Sequence, residues 1–146
     1  VAQDRSPFPL AAVLIAAMPL PPGAIALCAS DALRDGGLAV PFEVLHEGVP
    51  NRAFAVRHEG QVAAFLNRCT HVAMELDWQP NRVFDASGEW LICASHGAIF
   101  HPTSGECMGG PGNGGLVRIA LLEQDGQVWW LPDAHTVAPE VAAGHD

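Results

Sequence analysis

The 146-residue sequence contains no tyrosine and only seven basic residues, set against 16 aspartates and glutamates. The shortage of Lys and Arg gives a formal net charge of −9, and it excludes binding to a phosphate backbone because nothing supplies a basic patch. A cationic partner surface suits such a chain better, and its charge would steer a transient, salt-sensitive encounter; the same charge also serves solubility. Cysteine is scarce too, with four in all. That is too few for a disulfide scaffold, and Cys28 and Cys107 read as free thiols of a cytoplasmic protein. Long hydrophobic runs are missing. The longest, Leu10 to Leu20 (LAAVLIAAMPL), is too short and too broken by Pro19, Pro21 and Pro22 to span a membrane. Asp4 beside Arg5 leaves its leading segment without net positive charge, and there is no twin-arginine pair. Residues 1–23 therefore read as a flexible or loosely packed extension rather than an export signal.

What is abundant points to strands. Fifteen glycines and 12 prolines are scattered without a period, which favours short strands joined by many turns, and 49% apolar residues allow one buried core. The expected class is all-β, with one domain over residues 24–131 and a frayed tail over 132–146. The pattern predicts strands at Ile25–Cys28 and Phe42–Leu45, with a short helical turn capped by Ser30 or Asp31 between them and a turn over Glu47–Asn51 after them. Ala53–Arg57 and Val62–Leu66 form a hairpin around His58–Gln61. Further strands are expected near Glu89–Cys93 and Ile99–Phe100, then a turn at Pro102–Gly105 and a glycine loop over Gly109–Gly115. Val117–Leu122 and Val128–Leu131 are read as a closing hairpin.

Two short pairs carry the chemistry: Cys69-Thr70-His71 and, after a spacer of 21 residues, Cys93-Ala94-Ser95-His96-Gly97. A thiolate and an imidazole presented twice make a four-ligand sulfur and nitrogen set that can hold iron or zinc. Each pair follows a predicted strand, so a rigid sheet can aim the two loops at one point. A structural zinc set usually takes both cysteines from one loop and both histidines from another, with C-x2-4-C and H-x3-5-H spacing. Here each loop contributes one of each, although a structural Cys2His2 zinc module stays open as the alternative.

The pattern C-x-H followed by C-x-x-H-G resembles the Rieske family. The resemblance implies stacked antiparallel sheets with a small cluster-binding subdomain. It further implies one [2Fe-2S] cluster per chain, with one iron on Cys69 and Cys93 and the other on His71 and His96. Gly97 after the second histidine, Gly105 closing a turn after Phe100, and Gly110-Pro111, which resembles the proline loop covering the cluster from a third side, extend the likeness over residues 24 to 131. The stretch Asp77–Glu89 is read as an enlarged loop in the spacer.

Missing residues narrow the type. Members of cytochrome bc complexes carry an extra cysteine in each cluster loop, and here those positions are Met74 and Ser95, so that bridge cannot form. They also donate hydroxyls to cluster sulfur from a Ser and a Tyr, where this chain has Ala98 and Phe100. Fewer donors mean less stabilisation of the charge that reduction adds. With two ferric ions, two sulfides and two thiolates the oxidised site sums to zero and reduction makes it −1. Histidine ligation thus lifts the potential above that of all-cysteine ferredoxins, while the absent hydroxyls set it at the low end of the range, on the order of −150 mV. Glu75 and Asp77 would lower it further if they are near and poorly screened.

The resemblance therefore implies a ferredoxin-type electron carrier rather than an enzyme in its own right. It would serve a reductase and a terminal redox enzyme such as an oxygenase through transient contacts, with no nucleic acid or membrane partner. A small electron-accepting component of a multi-subunit oxygenase is a variant of the same reading. No Ser-His-Asp or paired-carboxylate arrangement stands out. His101 reads as a polar surface group, Cys107 as a packed thiol, and His46, His58, His135 and His145 have no partner pattern. Trp129 and Trp130 must face opposite ways on a strand, so at least one belongs to the core.

Overall fold

Three X-Gly dipeptides set the strand register. At Glu47-Gly48, Glu59-Gly60 and Asp125-Gly126 both residues have positive φ, with values of 52° and 78°, 50° and 81°, and 56° and 77°. Two consecutive left-handed residues make a turn whose twist matches that of a hairpin, so each dipeptide reverses the chain with no residue to spare. In the computed structural model, residues 19–68, 75–93, 97–110 and 114–139 are described. The first of these turns joins β2 (Val40–His46) to β3 (Val49–His58), the second joins β3 to β4 (Gln61–Leu66), and the third joins β9 (Leu121–Gln124) to β10 (Gln127–Trp130). The turn expected over Glu47–Asn51 is thus shorter than its sequence suggests, because Val49, Pro50 and Asn51 already pair with His46, Leu45 and Val44.

Among the described residues all pairs between strands are antiparallel. The remaining strands are β1 (Ile25–Ala29), β5 (Leu91–Ile92), β6 (Ile99–Phe100), β7 (Cys107–Gly109), β8 (Arg118–Ile119) and β11 (Thr136–Val137). They assemble into a five-stranded sheet in the order β11-β2-β3-β4-β8 and two three-stranded sheets, β1-β10-β9 and β5-β6-β7. The expected all-β architecture of antiparallel sheets is what forms, and among the described residues there is no α-helix.

The central hairpin is buried on both faces, which explains why its sequence is continuously apolar rather than alternating. Phe54, Val56, Ala63 and Phe65 point into one core with Leu76, Val83, Phe84, Leu91, Cys93, Ala98 and Phe100. Ala53, Ala55, Ala64 and Leu66 point into the other, with Val44, Ile119, Val128 and Trp130. Phe54 lies opposite Phe65 across β3 and β4, with ring centroids 5.9 Å apart. On the other face the small alanines leave room for Trp130, whose ring tilts against Phe42 at 5.3 Å. Trp130 is buried and Trp129 half-buried, as opposite faces of a strand require.

Four local readings change. The helical turn is a 3-10 turn over Ser30–Ala32 with Ala29, which has no polar side chain to cap it, at its N-cap, and Leu33 N–H closes it on Ser30 C=O. The run Val117–Leu122 divides between two sheets: β8 pairs with β4, and β9 pairs with β10. The stretch Asp77–Glu89 is folded down rather than looped out. Val83 and Phe84 are core residues, Ile92 N–H bonds Val83 C=O at 2.9 Å, and Phe84 bridges to Leu91. Within the segment read as a frayed tail, Thr136 and Val137 pair with His46 and Leu45. There His46 Nδ1 lies 2.8 Å from Thr136 Oγ1, and Asp133 Oδ1 accepts the N–H groups of His135 and Thr136. Most of the extension 1–23 (residues 1–18) and the end of the tail (140–146, with His145) lie outside the described residues.

Candidate metal centre

Of the four expected ligands, Cys93 is described, while Cys69, His71 and His96 lie outside the described residues, as do Met74, Ser95 and Pro111. The ends of the loops that carry them are described, and each end is tied down.

The first loop leaves the sheet after Leu66, the last residue of β4. Asn67 N–H donates to Arg52 C=O at 2.8 Å, and its side chain spans the loop: Oδ1 accepts Leu76 N–H at 2.7 Å and Nδ2 donates to Asp77 Oδ1. Leu76 enters the core on the far side. Glu75, beside it, pairs with Arg52 at 3.1 Å across an exposed surface. Both Asp77 oxygens accept hydrogen bonds, the second from Asn81 N–H at 2.8 Å. The two carboxylates that could depress a nearby potential are therefore partly compensated by a guanidinium and by hydrogen-bond donors.

The second loop is the turn between β5 and β6. Cys93 N–H donates to Ala98 C=O at 2.9 Å and Gly97 N–H returns to Cys93 C=O at 2.8 Å, closing a short loop around residues 94–96. Gly97 has φ 77°, a left-handed conformation natural to glycine. Cys93, Ala98 and Phe100 are all fully buried in the core that also holds Leu76, so the bases of both loops rest on one apolar floor.

A third segment closes on the second loop. Gly110 has φ 81°, and a Cβ there would lie 2.7 Å from Ala98 Cα and 2.9 Å from Gly97 oxygen. No side chain fits that gap.

These surroundings suit a mixed thiolate and imidazole centre. The one described candidate is a fully buried cysteine whose backbone groups are already paired with Ala98 and Gly97. The glycine contact brings a third segment against Gly97 and Ala98.

Other residues resolve as follows. His101 is half-buried rather than a surface group. Its Nδ1 accepts Thr103 N–H at 3.2 Å, and its ring meets the edges of Trp90 and His58, with centroids 6.2 Å and 6.4 Å away. His58 Nε2 lies 3.2 Å from Glu89 Oε1. Cys107 is half-buried and packed on the core with its Sγ 3.6 Å from Gly109 oxygen, and Cys28 is also a free thiol that burial pushes above its ordinary pKa. A cleft of about 590 Å³ is lined by Asp35, His58, Trp78, Asp85 and Glu89 and by none of the described loop-base residues. Among the described residues no helix is long and apolar enough to cross a membrane. Sequence reasoning missed Asn67 and the Gly110 contact with Ala98. Asn67 stands two residues before a candidate ligand, but no spacing rule marks an amide there.

Comparison with known proteins places this arrangement. The profile of the Rieske [2Fe-2S] domain matches residues 24–120. No curated protein matches the chain. Among solved structures it is similar to the ferredoxin of carbazole 1,9a-dioxygenase from Nocardioides aromaticivorans IC177, with TM-score 0.60 and 21% identity over 75% of this chain and 98% of that one. The Sphingomonas yanoikuyae B1 ferredoxin gives TM-score 0.57 and 21% identity over 75% and 99%. A chain from the complex of reduced oxygenase and oxidized ferredoxin in carbazole 1,9a-dioxygenase gives 0.58 and 21% over 75% and 94%. At such identity the likeness to these structures is one of fold.

Proposed function

The chain belongs to the Rieske [2Fe-2S] domain family, and from that premise we propose that it is a low-potential, ferredoxin-type electron carrier. Cys69, His71, Cys93 and His96 would hold one [2Fe-2S] cluster per chain, two thiolates on one iron and two imidazoles on the other. The observation that carries this reading is the family match over residues 24–120, which spans both Cys/His pairs, together with the buried Cys93 at a loop base closed by Ala98 and Gly97. When bound, the cluster takes up and releases one electron at a time. The protein's part is to hold the donors still and to leave the cluster sulfurs with few hydrogen bonds.

Ala98 and Phe100 supply the second condition, because both are fully buried and neither carries a hydroxyl. The potential is therefore set at the low end of the family's range, about −150 mV. The compensation of Glu75 by Arg52 limits any further lowering from that side chain.

The partners we propose are a reductase and a terminal oxidising enzyme, met transiently. The fold shared with a ferredoxin solved in complex with its oxygenase supports that class of partner, as does the net charge of −9, which favours a basic docking face. Nucleic acid and membranes are not among them, and a cytoplasmic location with Cys28 and Cys107 as free thiols belongs to the same proposal. Residues 24–131 would be the cluster-carrying unit. The test is electron delivery from the reductase of a Rieske oxygenase system, followed by bleaching of the visible bands. Reduction that slows as ionic strength rises supports the reading; a chain that no such reductase reduces at any salt concentration contradicts it.

A further inference from the structure

The segment carrying the first Cys/His pair leaves the sheet at Asn67, Leu76 beyond it is back in the core, and one side chain joins those two points. Asn67 is 5% exposed. Its Oδ1 accepts Leu76 N–H at 2.7 Å, its Nδ2 donates to Asp77 Oδ1, and Asp77 Oδ2 accepts Asn81 N–H at 2.8 Å. The loop is thus crossed by a relay in which every polar atom has one assigned role. Asn67 accepts on one side and donates on the other, and Asp77 accepts twice. Both side chains accept from a backbone N–H, and one must donate to the other, which an amide facing a carboxylate satisfies. Breaking the relay would leave Leu76 N–H, on a buried residue, without its partner.

The sheet does not depend on this relay. β3 and β4 hold each other through six residue pairs, and Leu66 N–H is bonded to Val117 C=O at 3.0 Å. What the relay fixes is the separation of the two ends of the intervening loop, whose closure otherwise costs chain entropy. Resting on the functional reading above, we infer that Asn67, anchored by Asp77, is a positioning residue for the cluster. It sets how the loop presents Cys69 and His71, and so how firmly [2Fe-2S] is retained.

The experiment exchanges the two groups. Asn67→Asp sets two carboxylates against each other; Asp77→Asn, the milder change at a half-buried site, cannot accept from both sides. The double variant Asn67→Asp/Asp77→Asn restores the relay in reverse, with the new carboxylate at position 67 accepting from Leu76 N–H and from the new amide, whose oxygen still serves Asn81 N–H. Cluster loss to an iron chelator, the EPR line shape of the reduced protein and thermal unfolding are measured on all three and on the parent.

The single variants are expected to lose the cluster about 10–100-fold faster and to change the line shape, as outer partners of metal ligands do. The double variant is expected to return both towards the parent, a rescue that general destabilisation would not produce. Single variants with the parent's loss rate and line shape overturn the inference. So does a double variant no better than Asp77→Asn, which decides the matter even if Asn67→Asp fails to fold. A parent protein that binds no [2Fe-2S] overturns the functional reading as well, so the two failures are told apart by the parent alone.

Discussion

Gly110 lies against Ala98 so closely that a single methyl group on it would meet the Ala98 Cα at 2.7 Å. The contact locks the segment entering the Gly110-Pro111 loop onto the turn that follows Cys93, and it leaves no allowance for a larger residue, since Gly110 also has φ 81°.

Gly110→Ala is therefore expected to disturb the turn between Cys93 and Ala98. The left-handed backbone alone costs roughly 1 kcal/mol with a Cβ, and the backbone overlap adds to it. Because the overlap is with Gly97 and Ala98 rather than with the sheets, cluster retention should suffer more than the unfolding temperature. Chelator-induced bleaching measured beside thermal unfolding checks this; equal retention in parent and variant would contradict it.

Ala98→Ser offers a hydroxyl where the high-potential members of the family have one. A new hydrogen bond to the reduced cluster is worth about 1 kcal/mol, or about 40 mV at 59 mV per tenfold change for one electron. The midpoint should rise by that order in a redox titration. A fall, or a parent midpoint well above zero millivolts, would contradict the low-potential account.

Arg57 and Glu123 govern stability away from the centre. The guanidinium bonds both Glu123 oxygens, at 3.2 Å and 2.6 Å, and also the carbonyls of Leu33, Ser30 and Gly60. That bond to Arg57 holds the Glu123 carboxyl below its ordinary pKa. A group depressed by folding contributes its stability above its unfolded pKa, about 4.3, and loses it as pH falls through the folded value. The unfolding temperature should therefore drop below about pH 4.3, with a shallower drop in Glu123→Gln. Arg57→Ala should cost about 1.5–3 kcal/mol, since it removes charge-assisted bonds to Glu123 and to three carbonyls. Denaturant titration across pH measures both; identical pH profiles for the parent and Glu123→Gln would rule out the linkage.

How much of this was legible in the sequence depends on range. The central hairpin, the all-β class and the opposite facing of Trp129 and Trp130 follow from short apolar runs, strand geometry and X-Gly turns, which are local. The division of Val117–Leu122 between two sheets is not local: Ile119 pairs with Ala64 and Leu121 with Trp130, partners that no periodicity announces. Thr136 joins the sheet because His46 waits 90 residues earlier. The Asp77–Glu89 stretch looks polar, yet Val83 and Phe84 sit in the core beneath it. At the centre, the Cys/His pairs announce themselves by residue type and spacing. Asn67 and Gly110 do not, because their roles exist only once distant segments meet.

The central claim is tested most directly on the purified protein, by iron and acid-labile sulfide analysis together with EPR before and after reduction. The account predicts a red-brown protein with about two irons and two sulfides per chain, silent when oxidised and giving a rhombic, low-g signal on one-electron reduction. A colourless protein with one tightly held zinc and no signal would contradict it.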